Sequence, residues 1–278
     1  PIIYPPPAGL NDLLERPEVG ISVPVYGRTL NDYAASQGMA TVLYESLRAS
    51  DARLEIEARA DRHHLAMTAL ARTMASEAPQ VLASLAEARR EMIERGGTAD
   101  PADSIAVLRE PVASREVDYR LALREQVETP EGLRWQYTGE TTTVTVPLFD
   151  SARVTLGRVR PVGYLVEPHR PDIVRFLLDH GRVVERVLEP VRWTVEHFRI
   201  QEAEILRQPY EGYIPQRFRT ELEVGTVDLP PGGWFVPAGQ PGAALLFHLM
   251  EPEDENSLAI TGVFLSEARV GGILPVHR

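Results

Sequence analysis

Few residues of this chain pair a reactive side chain with a placement that chemistry could use. Glu45 is the first: a carboxylate closing the apolar run Met39 to Tyr44 in "NDYAASQGMATVLYES". The run predicts a strand covered on both faces, because its apolar residues follow one another instead of alternating. In open α/β sheets, functional groups gather at the carboxyl ends of such strands. A carboxylate held there in a partly dry cleft can act as general base toward a polarised water. The ordinary alternative is a strand-end charge paired with an arginine such as Arg48.

Metal ligands are harder to assemble. His248 and Glu251, in "HLME", have the spacing that sets two side chains on one helical face. No third ligand stands at a convincing spacing. The pair adjoins "EPEDENS", which reads as a solvated loop, so chance spacing is the better account. His63 and His64 lie in a helical stretch, where adjacent side chains point apart and cannot clamp one ion. His180 beside Gly181 suits a helix C-terminus, and Glu196 and His197 are strand neighbours facing opposite sides. The chain has no serine-nucleophile, phosphate-loop, dinucleotide or EF-hand pattern. It offers one candidate catalytic residue and no complete site.

The elements that would position these residues divide the chain near residue 101. Residues 1 to 30 are rich in proline and glycine and read as loop, with a short helix from Asn11. From Arg53 to Arg95 the period becomes helical: Ala66, Leu70, Met74 and Ala78, then Leu82, Leu85, Ala88 and Met92, mark an apolar face. Pro79 predicts a break or kink there, with Ser76 capping a second helix. "RGGTADP" ends the helical stretch. Beyond it, "RWQYTGETTTVTVPLF" is β-branched and alternating, as in a strand pair or edge hairpin. "RVRPVGYLVEP", "VRWTVEHFRI", "RFRTELEVGTVDL" and "GGWFVPAG" are further strands. "HRPDIVRFLLDHG" and "PGAALLFHLMEP" are short helices. The fold class is α/β, with an α/β part over 1–101 and a mostly β part with two short helices over 102–278.

Composition narrows the function classes. The 278 residues carry a net charge of −11, which disfavours a nucleic-acid groove or an anionic membrane partner. There is no cysteine, so disulfides, thiol nucleophiles and thiolate-bound metals are excluded. All 29 basic residues are arginine, which excludes Schiff-base lysines and the lysine of a phosphate-binding loop. The first residue is Pro1, and no signal peptide is visible, as expected of a processed product or a piece of a longer protein.

One stretch goes further. "DYAASQGMATVLYESLR" resembles the segment of the zinc metallocarboxypeptidases, the M14 (carboxypeptidase A-like) family, in which a "DWSYNQG"-type motif leads into the strand that delivers the general-base glutamate, followed by Leu-Arg. Here Asp32, the aromatic Tyr33, Gln37-Gly38, Glu45 and Leu47-Arg48 stand in that order, with one residue fewer before the glutamate and one more after it. "IIYPPPAG" is similar to the segment after the third zinc ligand in large bacterial members. "GGWFVPAGQPGAALLFHLMEPEDENSL" and the ending "LPVHR" resemble their C-terminal accessory region.

The resemblance implies the C-terminal part of a mixed-sheet carboxypeptidase-like α/β/α domain, followed by the accessory domain. It implies hydrolysis of C-terminal peptide bonds with Zn²⁺ as cofactor and Glu45 as general base. It offers Tyr26, six residues before Asp32, as the substrate-binding tyrosine of a mobile loop, although the family spacing is slightly longer. The zinc ligands and carboxylate-binding arginines of the family precede the point where this chain begins, so no metal ligand is assigned and the isolated chain is expected to be inactive. Peptide or protein substrates, no nucleic acid, no membrane, and a secreted or periplasmic location complete the expectation. The competing class is a non-catalytic binding or scaffold protein with a degenerate carboxypeptidase fold.

Overall fold

The computed structural model describes residues 12–22, 29–44, 56–130, 132–209 and 212–278. The fold is mixed α/β, rich in antiparallel strands. The chain forms two compact units, each assembled from separated segments. The first draws its described residues from Pro1–Tyr26, Val42–Val81 and Glu110–Arg153, the second from Gly27–Thr41, Leu82–Arg109 and Val154–Arg278.

The first unit contains α1 (Asp12–Glu15) and β1 (Ile21–Ser22). The helix α2 (Leu30–Ser36) belongs to the second unit, and α3 (Ile56–Gly96) supplies residues to both. Pro79 lies inside α3, which is one continuous helix of 41 residues. The expected break does not occur. Proline withholds the bond to the carbonyl four residues back, but here both positions are exposed and water can serve that carbonyl. Ser76, expected as a cap, donates to the Thr73 carbonyl at 3.0 Å within the helix. Gly96 ends α3 on the backbone of Ala238, where a Cβ would stand 2.2 Å from the carbonyl oxygen, so only glycine permits this approach.

β2 (Ser104–Val112) pairs with β5 (Ser151–Val159), and between them run β3 (Arg115–Thr129) and β4 (Gly132–Phe149). β3 and β4 form the hairpin expected from the threonine-rich alternation, in register from Arg115 opposite Leu148 to Thr129 opposite Gly132. β1 adds to β4 in parallel. The apolar content of this unit gathers at the hairpin base, where Leu13 of α1 packs with Leu121, Val146 and Leu148.

The second unit is built on a six-stranded sheet. Its strands are β6 (Gly163–Val166), β7 (Glu185–Arg186), β8 (Val191–Ile205), β9 (Gln216–Leu229), β10 (Trp234–Pro237) and β11 (Ile273–His277), in the order β7-β10-β6-β11-β8-β9, with antiparallel neighbours. The helices α4 (Pro171–Asp179) and α5 (Ala243–Met250) contribute to its core. Pro171 opens α4 at a position where its missing N–H costs nothing, and Gly181, at φ 71°, follows its end. Ile173, Val174 and Leu177 of α4 enter a cluster with Tyr164, Val166, Phe198 and most of α5. The opposite face buries Leu165, Val195 and Leu229. All four residues of β6 are buried, which is why its sequence runs apolar without alternation.

The strand expected at Met39 to Tyr44 is absent. These residues have no regular structure, and Val42 and Tyr44 are 66% and 45% exposed. An apolar run becomes a covered strand only where a ladder and a second layer receive it, and here neither does.

Candidate functional site

Glu45 and Tyr26, the two site residues expected from the sequence, lie outside the described residues. The residues that lead to Glu45 do not, and their roles are visible. Thr29 and Asp32 close a capping box at the start of α2: Asp32 N–H donates to Thr29 Oγ1 at 3.3 Å, and Thr29 N–H donates to Asp32 Oδ2 at 3.2 Å. Gln37 Nε2 donates to the Tyr33 hydroxyl at 3.0 Å and to the His180 carbonyl at 3.1 Å. Tyr33 then has its proton free for His180 Nδ1, 3.0 Å away, a pairing that suits a neutral His180 with its proton on Nε2. Burial, and then the Arg182 charge, hold the His180 imidazole below its ordinary value, in keeping with that state. Arg182 donates to Gln37 Oε1 and to the Pro241 carbonyl. The Asp–Tyr and Gln–Gly pairs that carry the sequence resemblance therefore cap α2 and moor it to the end of α4. Arg89 of α3 holds the next carbonyl, that of Gly38, at 3.2 Å.

The His248–Glu251 spacing does not form a metal site. His248 Nδ1 meets Asp254 Oδ2 at 2.8 Å. Glu251 is fully buried among other partners: it accepts from Arg158 at 2.7 Å and from the Tyr164 hydroxyl at 2.7 Å, and Arg278 Nε stands 3.0 Å from it without hydrogen-bond alignment. Burial, reinforced by the Glu251 charge, raises the Tyr164 phenol well above its usual range, so it stays a donor. Arg158 also grips Glu253 through two bonds of 2.8 and 2.9 Å. This is an ion network that ties strand to helix end, not a reactive centre.

A second histidine cluster was not legible in the sequence. His197 of β8 and His277 of β11 face each other with Nδ1 atoms 3.0 Å apart, and His277 Nε2 meets Glu167 at 3.2 Å. Three of the four ring nitrogens are directed at one another and at Glu167. Gly225 makes room for the pair, since a Cβ there would lie 2.6 Å from His197 Nε2. His63, on α3, stacks edge-on against Tyr44 at 4.9 Å. Among the described residues no three histidine, aspartate or glutamate side chains converge on a point that could hold a metal ion.

The second unit also carries a cleft of about 980 Å³, walled by the start of β9, the segment after β8 and the segment after α5. Leu108, Leu206, Pro215, Phe218, Pro252 and Ile260 give it apolar walls. Gln216 lies in that wall, 1% exposed, and among the described residues neither atom of its amide has a hydrogen-bond partner. A buried amide left unpaired costs about 1–3 kcal/mol. No spacing rule singles out a lone glutamine, so the sequence alone could not have marked it.

Comparison with known proteins supplies a name for what the chain is similar to. It is 32% identical over 127 residues to Carboxypeptidase 2 of Trichophyton rubrum, a match covering 46% of this chain and 23% of the relative. The same figures hold for Carboxypeptidase 2 of Trichophyton tonsurans. A Probable carboxypeptidase 2 of Arthroderma benhamiae is 29% identical over 109 residues, 39% of this chain and 21% of the relative. The chain thus spans about a quarter of the length of the curated relatives it matches. No family model matches the chain, and no solved structure does.

Proposed function

We propose that this chain is part of a zinc-dependent carboxypeptidase that hydrolyses C-terminal peptide bonds. The observation that carries the reading is the 32% identity over 127 residues to fungal proteins named carboxypeptidase. The order Asp32-Tyr33, Gln37-Gly38, Glu45 supports the narrower assignment to the carboxypeptidase A-like family. Glu45 is the general base: its carboxylate takes a proton from the attacking water and passes it to the leaving amine. Tyr26 donates a hydrogen bond to the bound peptide. The described residues do not fit a zinc ion, so its ligands are assigned to other parts of the complete polypeptide. Peptides and proteins are the substrates, and the protein acts after export, secreted or periplasmic. Among the described residues, no helix is long and apolar enough to cross a membrane.

Replacing Glu45 by Gln in the complete protein tests this. The loss of a general base lowers kcat by about 10²–10⁴-fold while substrate still binds. Near-normal turnover by this variant of a peptide with a free C-terminal carboxylate would remove Glu45 from the reaction. The 278-residue chain by itself, dialysed and measured by elemental analysis, is expected to keep no equimolar zinc.

A further inference from the structure

The histidine pair between β8 and β11 has a chemistry that no part of the peptidase reading uses. β11 is the strand that joins β8 and β9 to the rest of the six-stranded sheet. It meets β8 in register at Ile273 opposite Arg199 and at His277 opposite His197, with an irregularity between them. Glu196 and Arg278 exchange both backbone bonds, each at 2.9 Å, so the next pair along, His197 and His277, is of the non-hydrogen-bonded kind, whose side chains stand closest. Two imidazoles therefore meet here, His277 being 2% exposed and His197 half-buried over Gly225.

The contact can be counted in protons. Nδ1 atoms 3.0 Å apart share a single hydrogen. Glu167 is held below the usual carboxylate range, first by its bond to His277, and as a carboxylate it accepts only. His277 Nε2 is therefore the donor to Glu167 at 3.2 Å, and with both rings neutral its Nδ1 accepts from His197 Nδ1–H. One added proton keeps the chain whole: a cationic His277 donates at both ends, and His197 carries its hydrogen on Nε2. A second proton puts a hydrogen on each Nδ1, and the two cannot share the gap. The charges around the pair are few. Glu167 also meets the exposed His169 at 3.2 Å, Glu223 of β9 is opposite His197 but held by Arg199, and Arg278 pairs with Glu196 at 3.1 Å on the other face. Burial, and then His277, hold the His197 imidazole below its ordinary value, with Glu223 and Glu167 opposing and Arg199 adding to the shift.

We propose that His197 and His277 form an acid-operated latch between β8 and β11: the first proton ties Glu167, His277 and His197 into one charged chain, and the second drives the rings apart and frees the strand junction. A group whose folded pKa is lowered takes its proton more readily once released. The stabilisation is thus complete above pH 6.5 and is lost as pH falls through the lowered value of His197. The latch involves none of the residues assigned to peptide hydrolysis, so its test does not depend on whether that reading holds.

Hydrogen exchange of the Glu196 and Arg278 amides, corrected for the intrinsic rate, reads the junction in the 278-residue chain, and ring nitrogen NMR shifts read the protons. As pH falls through the His197 step, exchange at these amides should accelerate by about tenfold per pH unit, the slope of a release coupled to one proton. The α5 amides should keep their protection over the same range. His197→Gln still offers His277 a polar partner but takes up no proton, and it should abolish the acceleration. Glu167→Gln leaves both rings in place and withdraws the carboxylate from the cationic His277. It should move the first of the two ring titration steps to lower pH, a readout that survives even if His197→Gln fails to fold. Acceleration of the same size in a folded His197→Gln would overturn the proposal. So would wild-type rings that both become cationic while the Glu196 and Arg278 amides stay protected, or a first step that Glu167→Gln does not move.

Discussion

In the six-stranded sheet, β6 buries every one of its four residues, whereas β4, at 18 residues, buries just Val146 and Leu148. The two regions make opposite use of the backbone. The β3–β4 hairpin has a ladder as long as that of β8 and β9, yet most of it faces water on both sides, and its apolar support is confined to one end. The sheet of the second unit has shorter central strands, but α4 and α5 cover one face and a second apolar cluster lies on the other. A ladder bond made in water replaces bonds to water and gains little, while each apolar side chain taken from water gains on the order of 25 cal/mol per Å². Strand length is therefore a poor guide to which region holds the structure, and isolated two-stranded arms are marginal by themselves.

The comparison is broken most readily in the denser region. Phe198 is fully buried in the main cluster, with the Arg158 guanidinium over its ring, 5.3 Å from the centroid. Phe198→Ala should cost about 3–5 kcal/mol, read as a lower urea midpoint with an unchanged slope. A cost under about 1 kcal/mol would mean that this cluster is not the main support. Leu121→Ala, in the four-residue cluster of the hairpin, should cost about 2 kcal/mol, because so small a cluster can close around the loss. Its effect is expected in the hydrogen exchange of the β3 and β4 amides, which should already exchange faster than those of β6 in the wild type. Equal protection of the two sets of amides would erase the distinction between the regions.

The same contrast explains what could be read from the sequence. α4 was legible because three signals agree: Pro171 at its start, Ile173, Val174 and Leu177 on one face, and Gly181 past its end. β8 and β9 were legible as alternating, β-branched runs. The dismissal of His248 and Glu251 as a ligand pair also rested on visible features, and the structure turns the two side chains to different partners. Met39 to Tyr44 misled because an apolar run records what could be buried, not whether anything covers it. Pro79 misled because the penalty for a proline depends on whether the freed carbonyl can reach water. Tyr33 and Gln37 were noticed for their place in a motif, while their contacts lie about 140 residues away, with His180 and Arg182, a pairing no local pattern encodes. Gln216 and the His197–His277 pair are legible only from tertiary structure for the same reason.

The smallest expected effect sharpens the comparison where α2 is moored. His180 must be neutral to accept from Tyr33, and its folded pKa is lowered, first by burial and then by Arg182, against a smaller opposing pull from Asp179. Phe176 packs its ring 4.5 Å from the imidazole and carries no charge to offset these. With a folded pKa below the ordinary 6.5, the unfolded chain binds the proton more readily. The contribution of this contact is thus complete above pH 6.5 and is lost as pH falls from there through the lowered value. Exchange of the α2 amides, corrected for the intrinsic rate, should accelerate between about pH 7 and pH 5, while the β6 amides stay protected. In Tyr33→Phe the hydroxyl is gone, Gln37 loses one of its two acceptors, and the acid-dependent part of the change should shrink with it. An α2 that exchanges alike at both pH values, in the wild type and in Tyr33→Phe, would show that Gln37 and Arg182 hold this helix without the histidine, and that the polar mooring is as insensitive to acid as the apolar core of the sheet.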